Sequence, residues 1–133
     1  MDAVRAREAM TAATEVARAA AGLELLMLFG SRARGDDATG ADWDFGYFGT
    51  PLLDVTGLMT ALVGALGSDH VDLVDLRRAS GLLRYAAARD GLVIFETMAG
   101  LGDRFRLEAA QFWCDAAPVL MRGYEDVLAG LKP

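Results

Sequence analysis

Residues 25–48, LLMLFGSRARGDDATGADWDFGYF, contain the features that decide the fold. The stretch reads as an apolar strand, a Gly-Ser turn, a charged connection and a second strand. Because successive side chains of a strand point to opposite faces, Asp42 and Asp44 share one face of the second strand. Trp43 and Phe45 take the opposite face, where their rings can enter a core. The second strand therefore separates a carboxylate face from an apolar face.

Two carboxylates on one face repel each other and destabilise the fold unless a positive charge neutralises them. A hard divalent cation with oxygen ligands, such as magnesium, is the simplest partner for such a pair. Just upstream, Gly30 and Ser31 offer backbone N–H groups and a hydroxyl to phosphate oxygens, and Arg32 and Arg34 add positive charge. No Gly-Lys-Ser/Thr follows the glycine, which excludes a Walker phosphate loop. The stretch predicts a site for a magnesium-bound nucleoside triphosphate.

The spacing is Gly30-Ser31, ten residues, then Asp42-x-Asp44. This pattern resembles the polymerase-β-like nucleotidyltransferase superfamily. It is more closely similar to the minimal nucleotidyltransferase (MNT) family, the antitoxin half of HEPN–MNT toxin–antitoxin pairs. The piece GSRARG at residues 30–35 is close to the usual opening of that family. The resemblance continues through VDLVDL at residues 71–76 to about Glu96.

The resemblance implies a third carboxylate in the next strand. Asp72 and Asp75 lie on opposite faces there, so at most one of them can face the first pair. The resemblance selects Asp72 as the third metal ligand and the base for the incoming hydroxyl, and Asp75 is expected to be solvated or paired with Arg77 or Arg78. The complete expected site has Asp42, Asp44 and Asp72 as catalytic, metal-binding residues for two Mg²⁺ ions, and Gly30, Ser31, Arg32 and Arg34 as nucleotide-binding residues.

The function implied by the resemblance is transfer of AMP from ATP to a tyrosine hydroxyl of a cognate HEPN-type ribonuclease toxin, which would silence the toxin. One alternative is adenylylation of a small molecule such as an antibiotic, although enzymes of that kind usually carry an additional substrate domain. Another alternative is a stoichiometric antitoxin without catalysis. An intact set of three aspartates argues against the second alternative, since an inactive binder has no need to hold like charges together.

Composition narrows the class of protein further. The 133 residues predict a single domain covering residues 1–133, with C-terminal helices from about residue 103. A net charge of −6 argues against direct nucleic-acid binding. The single cysteine, Cys114, excludes an intrachain disulfide and a cysteine-based zinc site, and we expect it to be buried on an apolar helix. We expect a cytoplasmic protein, since neither a signal peptide nor an apolar run of about 18 residues is present.

Strands alternating with helices predict an α/β (α+β) fold of the polymerase-β-like nucleotidyltransferase type, with a small mixed sheet flanked by helices and covered mainly on one side. Ser80 is predicted to cap the helix that follows it. Pro118 is expected to kink or split the last helix, and Asp103 to cap it. The predicted strands are 23–29, 42–48, 71–76 and 92–96, and the predicted helices are 2–20, 32–38, 52–66, 80–89 and a long segment from 103.

Three other features were open to two readings. Gly46 shares the face of the aspartate pair, where it either leaves space for a ligand or bends the strand. His70, the only histidine, precedes the third strand and either lies near the site or has a surface or packing role, and we expect the surface or packing role. The last helical segment carries more apolar residues than a small sheet needs, so it is either core or a protein interface. The apolar positions that motivate the interface reading include Phe105, Phe112, Trp113 and Leu120, and polar substitution of Phe105, Trp113, Leu120 and Val127 would distinguish the two readings.

Overall fold

A computed structural model describes residues 3–35 and 42–130, and the strands within them form one mixed sheet. The strand order is β3-β2-β1-β4, with β1 antiparallel to both β2 and β4 and with β2 parallel to β3. This confirms the predicted fold class. The elements are α1 (Ala3–Ala19), β1 (Leu23–Phe29), α2 (Ser31–Arg34), β2 (Trp43–Gly49), α3 (Val55–Leu66), β3 (Val71–Asp75), α4 (Gly81–Asp90), β4 (Leu92–Glu96) and α5 (Leu101–Gly130).

Helices cover both faces of the sheet. On one face the alternate residues Trp43, Phe45 and Tyr47 of β2 pack in a cluster with Ala17 of α1 and Leu62 of α3. On the other face Leu25, Met27 and Phe29 of β1 pack against α4 and α5 through Ala87, Ala88, Phe105 and Ala109. The expectation of a sheet covered mainly on one side is therefore wrong. The reason lies in β1, where both alternating sets of side chains are apolar and each needs a cover.

Side-chain hydrogen bonds set the first residues of α3 and α4, and the sequence predicted one of these two caps. The Ser80 hydroxyl accepts from the Leu83 N–H at 3.2 Å, which confirms the predicted cap of α4. α3 begins at Val55, three residues later than predicted, because the Asp54 carboxylate accepts from the Gly57 N–H at 2.9 Å. The part of the predicted 32–38 helix beyond residue 35 lies outside the described residues.

The start of α5 is capped by a residue from the preceding strand. The Glu96 carboxylate accepts from the N–H groups of Gly100 and Gly102, at 3.1 and 2.8 Å, and the helix begins at Leu101. Asp103, the predicted cap, lies in the first turn instead. α5 is continuous through Pro118, so Pro118 does not split the helix, and the alternative of a kink stays a prediction.

The apolar residues of α5 divide into core and surface. Phe105 is only 1% exposed and belongs to the core, whereas Phe112 is 59% exposed. Trp113 is partly buried and stacks on Tyr85 of α4 with 5.7 Å between ring centroids. Cys114 is exposed, so the expectation of a buried thiol is wrong. The side chains of Leu120 and Val127 lie outside the described part of the chain. Within residues 3–35 and 42–130, no helix is long and apolar enough to cross a membrane.

Candidate active site

The candidate site lies at the end of the sheet where β1 finishes and β2 and β3 begin. Asp44 of β2 is paired in register with Phe29 of β1 on one side and with Asp72 of β3 on the other. Register partners on neighbouring strands point to the same face, so the structure brings Asp44 and Asp72 together. Their face is the one that α4 and α5 cover farther along the strands.

The pKa of Asp44 is raised above its ordinary value by partial burial and then by the neighbouring charges of Asp72 and Asp42. A hydrogen bond with the Asp72 side chain acts in the same direction, and the positive charge of Arg34 acts against it. Negative charge is therefore in excess around Asp44. A bound cation would relieve this excess, since it favours the ionised carboxylates.

The carboxylate of Asp42 contacts His70, whereas Asp44 and Asp72 contact each other. Its Oδ1 lies 3.6 Å from Nδ1 of His70, and the Trp43 N–H donates to the His70 carbonyl at 2.8 Å. His70 therefore adjoins the site and is also exposed, so the placement near the site, which was the less expected of the two readings, holds together with a surface position. A signal was available, because His70 precedes Asp72 by the same two positions that separate Asp42 from Asp44. In a parallel pair, that equal spacing sets the two residues beside each other.

The side chains at the site differ in how far they are arranged to hold a metal ion. Among residues 3–35 and 42–130, no three His, Cys, Asp or Glu side chains converge closely enough to hold a metal as they stand. Asp44 and Asp72 adjoin each other, while the carboxylate of Asp42 is near His70. The chemistry of the donors nonetheless fits magnesium, because carboxylate oxygens are the ligands it prefers, and the charges of Asp72 and Asp42 add to the effect of burial in raising the pKa of Asp44.

Gly30 lets the turn after β1 pass directly against Asp44. Its φ of 75° and ψ of −158° lie in a region that essentially only glycine occupies. A Cβ at this position would lie 2.5 Å from Oδ2 of Asp44. Ser31 follows as the first residue of α2, whose amides at Ala33 and Arg34 donate to the Gly30 carbonyl at 3.2 Å. The Gly-Ser turn and the carboxylate pair therefore belong to one site.

The two arginines of α2 reach different neighbours. The guanidinium carbon of Arg32 lies 4.1 Å from the centroid of the Trp43 ring, which belongs to the cluster under α1 and α3. Nη1 of Arg34 lies 3.3 Å from Oδ2 of Asp90, the last residue of α4. Only Arg34 also acts on the charge state of Asp44. Arg34 is thus the arginine that the structure associates with the carboxylate pair.

Two neighbouring residues have structural explanations. A Cβ on Gly46 would lie 2.7 Å from Cδ2 of Leu76, so the missing side chain makes room for core packing rather than for a ligand. Asp75 accepts from the Arg77 N–H at 2.9 Å and lies 3.8 Å from Nε of Arg78. This confirms the expected pairing of Asp75 with those arginines.

Residues 13–99 match the family described as polymerase beta, nucleotidyltransferase. The chain belongs to that family. Protein adenylyltransferase MntA of Aphanizomenon flos-aquae (strain 2012/KM1/D3) is 32% identical over 97 residues, which are 63% of this chain and 64% of that protein. The alignment of this nucleotidyltransferase with MntA therefore spans just under two thirds of the relative's length.

Solved structures give the same fold. The nucleotidyltransferase superposes on a chain from a toxin–antitoxin crystal structure with AMP-PNP at a TM-score of 0.74 and 26% identity, covering 90% of this chain and 98% of that one. A second similar structure is a tri-AMPylated Shewanella oneidensis HEPN toxin in complex with an MNT antitoxin, at a TM-score of 0.71, 24% identity and coverages of 92% and 98%. At that identity the second likeness supports the fold alone. Together these findings confirm the resemblance to the MNT family.

Proposed function

We propose that this protein transfers AMP from ATP to a tyrosine hydroxyl of a cognate HEPN-type toxin and thereby neutralises the toxin. The observation that carries the proposal is the Asp44–Asp72 pair, in register beside the Gly30–Ser31 turn, in a chain of the nucleotidyltransferase family. Similarity to a protein adenylyltransferase supports the choice of AMP and of a protein acceptor. Likeness to a toxin–antitoxin structure that contains AMP-PNP supports ATP as donor and a toxin as partner.

In this proposal each site residue acts on the triphosphate or on the acceptor. The N–H groups of Gly30 and Ser31, with the Ser31 hydroxyl, bind the β- and γ-phosphates and hold the α-phosphorus in line with the acceptor oxygen. A bond forms between the acceptor oxygen and the α-phosphorus, and the bond to the bridging oxygen breaks to release pyrophosphate. Asp72 is exposed and takes the proton of the hydroxyl, whereas the half-buried Asp44 stays beside the turn.

Asp42, Asp44 and Asp72 are proposed as the ligands of Mg²⁺, with two ions in the working site. Bound magnesium would neutralise the triphosphate and lower the pKa of the attacking hydroxyl. The raised pKa of Asp44 supports this assignment, since after burial its next causes are the neighbouring charges of Asp72 and Asp42, which a cation would offset. Asp42 would have to turn its carboxylate from His70 toward the pair.

The test is intact-mass analysis of the toxin after co-expression with this protein. We expect the toxin to gain mass in whole AMP units with the wild-type protein and none with Asp44→Asn. A toxin that is neutralised at unchanged mass would contradict transfer and favour the stoichiometric antitoxin. A toxin that is neither bound nor modified would favour a small-molecule acceptor.

The toxin contact is proposed to include the exposed side of α5. Phe112 and Val119 lie about two turns apart on that helix, and each is 59% exposed. We expect Phe112→Glu to weaken toxin binding in a pull-down or by calorimetry while the melting temperature of the protein alone changes little. Phe105→Glu is the matched control, because Phe105 is buried and its replacement should lower the melting temperature. A Phe112→Glu variant that binds toxin normally would remove this residue from the interface.

A further inference from the structure

Asp90 makes contacts that the proposed function does not use. It is the last residue of α4, and its side chain is 15% exposed. Its Oδ2 lies 3.3 Å from Nη1 of Arg34 and 3.0 Å from Nη2 of Arg89, and its Oδ1 accepts from Nε of Arg89 at 3.1 Å. Asp90 therefore joins α4 to the short helix that follows the Gly-Ser turn.

The position of Asp90 is electrostatically unfavourable for a helix. The C-terminal end of a helix carries partial negative charge, so an aspartate there is repelled unless cations offset it. Arg89 and Arg34 provide that offset, and their hydrogen bonds hold the pKa of Asp90 below its usual value. Arg89 is the adjacent residue in the same helix, whereas Arg34 is 56 positions away in the sequence. The contact that depends on the tertiary fold is the one with Arg34.

Arg34 interacts with two acidic groups. It forms an ion pair with Asp90 at 3.3 Å, and its charge also acts on Asp44 of the carboxylate pair. The donors of a guanidinium fan out in a fixed plane, so a carboxylate on one edge sets the direction of the others. Asp90 therefore fixes where the positive charge of Arg34 stands relative to the turn at Gly30 and Ser31.

We propose that Asp90 is a positioning residue that holds the Arg34 guanidinium in place to receive the phosphates of ATP. The inference rests on the proposed function, in which Arg34 binds the nucleotide. Without Asp90, the Arg34 side chain would lose one of the contacts that hold it, and the extra freedom would have to be given up when ATP binds, which would weaken the binding free energy. The defect should therefore appear in nucleotide affinity more than in turnover.

The test compares Asp90→Ala with the wild-type full-length protein in calorimetric titrations of ATP with Mg²⁺ and in AMP transfer to the toxin. We expect the Kd and the KM for ATP to rise about three- to tenfold, the effect of immobilising one long side chain. We expect kcat to change less than twofold and Asp90→Glu to recover most of the affinity. In a double variant with Arg34→Gln, loss of Asp90 should add nothing further, because Asp90 acts through Arg34.

Arg89→Gln is the matched control. It removes the other partner of Asp90 and leaves Arg34 in place, so the KM for ATP should stay at the wild-type value. An unchanged or lower Kd in Asp90→Ala, or additive losses in the double variant, would overturn the positioning role while leaving the proposed function intact. A wild-type protein that neither binds ATP nor transfers AMP would overturn both.

Discussion

The two ends of the sheet treat acidic residues in opposite ways. At the candidate active end, Asp44 and Asp72 lie side by side, and their repulsion helps raise the pKa of Asp44. At the other end, Glu24 at the start of β1 forms an ion pair with Arg77 at 3.0 Å. The same guanidinium donates to the Gly49 carbonyl at 2.8 Å. One end collects like charge, and the other neutralises it.

The contrast between the two ends shows which part of the sheet is arranged less favourably for stability. Arg77 also lies 4.6 Å from the centroid of the Phe48 ring, so that end combines charge pairing with packing. The active end instead holds a carboxylate against a glycine in a backbone conformation that few residues adopt. Unfavourable charges and backbone conformations of this kind are expected at sites that bind a ligand, because the bound ligand can offset them. Substitutions at the two ends should accordingly separate activity from stability.

The largest effect is expected for Asp44→Asn. Loss of a proposed metal ligand should reduce AMP transfer by about 10³-fold or more, equivalent to several kcal/mol of transition-state stabilisation. Because folding raises the pKa of Asp44, its ionised form destabilises the native state at neutral pH, and the neutral amide removes that penalty. The melting temperature of the nucleotide-free protein should therefore hold or rise in scanning calorimetry. Asp42→Asn should behave similarly, and a clear fall in melting temperature would mark these residues as structural.

Asp72→Asn and Asp75→Asn form a matched pair within β3. Asp72 lies in register with Asp44, whereas Asp75 is paired with Arg77 and Arg78. Asp72→Asn should abolish most transfer in the toxin mass assay, and Asp75→Asn should retain most of it. The reverse ranking would mean that the third carboxylate comes from the other face of the strand.

Gly30→Ala should have an intermediate effect on both transfer activity and stability. The backbone conformation at Gly30 costs about 1–3 kcal/mol for another residue, and the added Cβ would displace Oδ2 of Asp44. Gly35→Ala is the control, since Gly35 has a φ of 79° but no atom of the described residues, 3–35 and 42–130, lies within 4 Å of its would-be Cβ. Both variants should lose stability in denaturant titrations, and only Gly30→Ala should also lose transfer activity. Equal activity in the two variants would show that the contact with Asp44 is unimportant.

The smallest effect is expected at the opposite end. Arg77→Gln removes an ion pair that is partly exposed and a hydrogen bond to a carbonyl, so it should lower the free energy of unfolding by about 1 kcal/mol. Transfer activity per folded molecule should match the wild type. A loss of activity without a loss of stability would show that the two ends are not independent.

The sequence predicted those features of the two ends that depend on residues close together in the chain. Alternation along β3 predicted that Asp72 and Asp75 lie on opposite faces, because a period of two is a local property of a strand, whereas the choice of Asp72 as the neighbour of Asp44 came from the family resemblance. The link between Arg34 and Asp90 was beyond its reach, since that contact depends on how α4 crosses the sheet. Glu96 was also missed as a helix cap, because capping rules consider residues directly before a helix and Glu96 lies several positions earlier, in β4.

The parallel pairing of β2 with β3 has a consequence for the time course of folding. Parallel neighbours cannot be joined by a tight hairpin, and here the connection that brings β3 back beside β2 contains α3. Pairings that close long loops form more slowly than local ones. Asp44 and Asp72 therefore meet only in chains that have completed this crossover. A ligand that needs both carboxylates binds finished molecules alone, and by mass action it draws the population toward them.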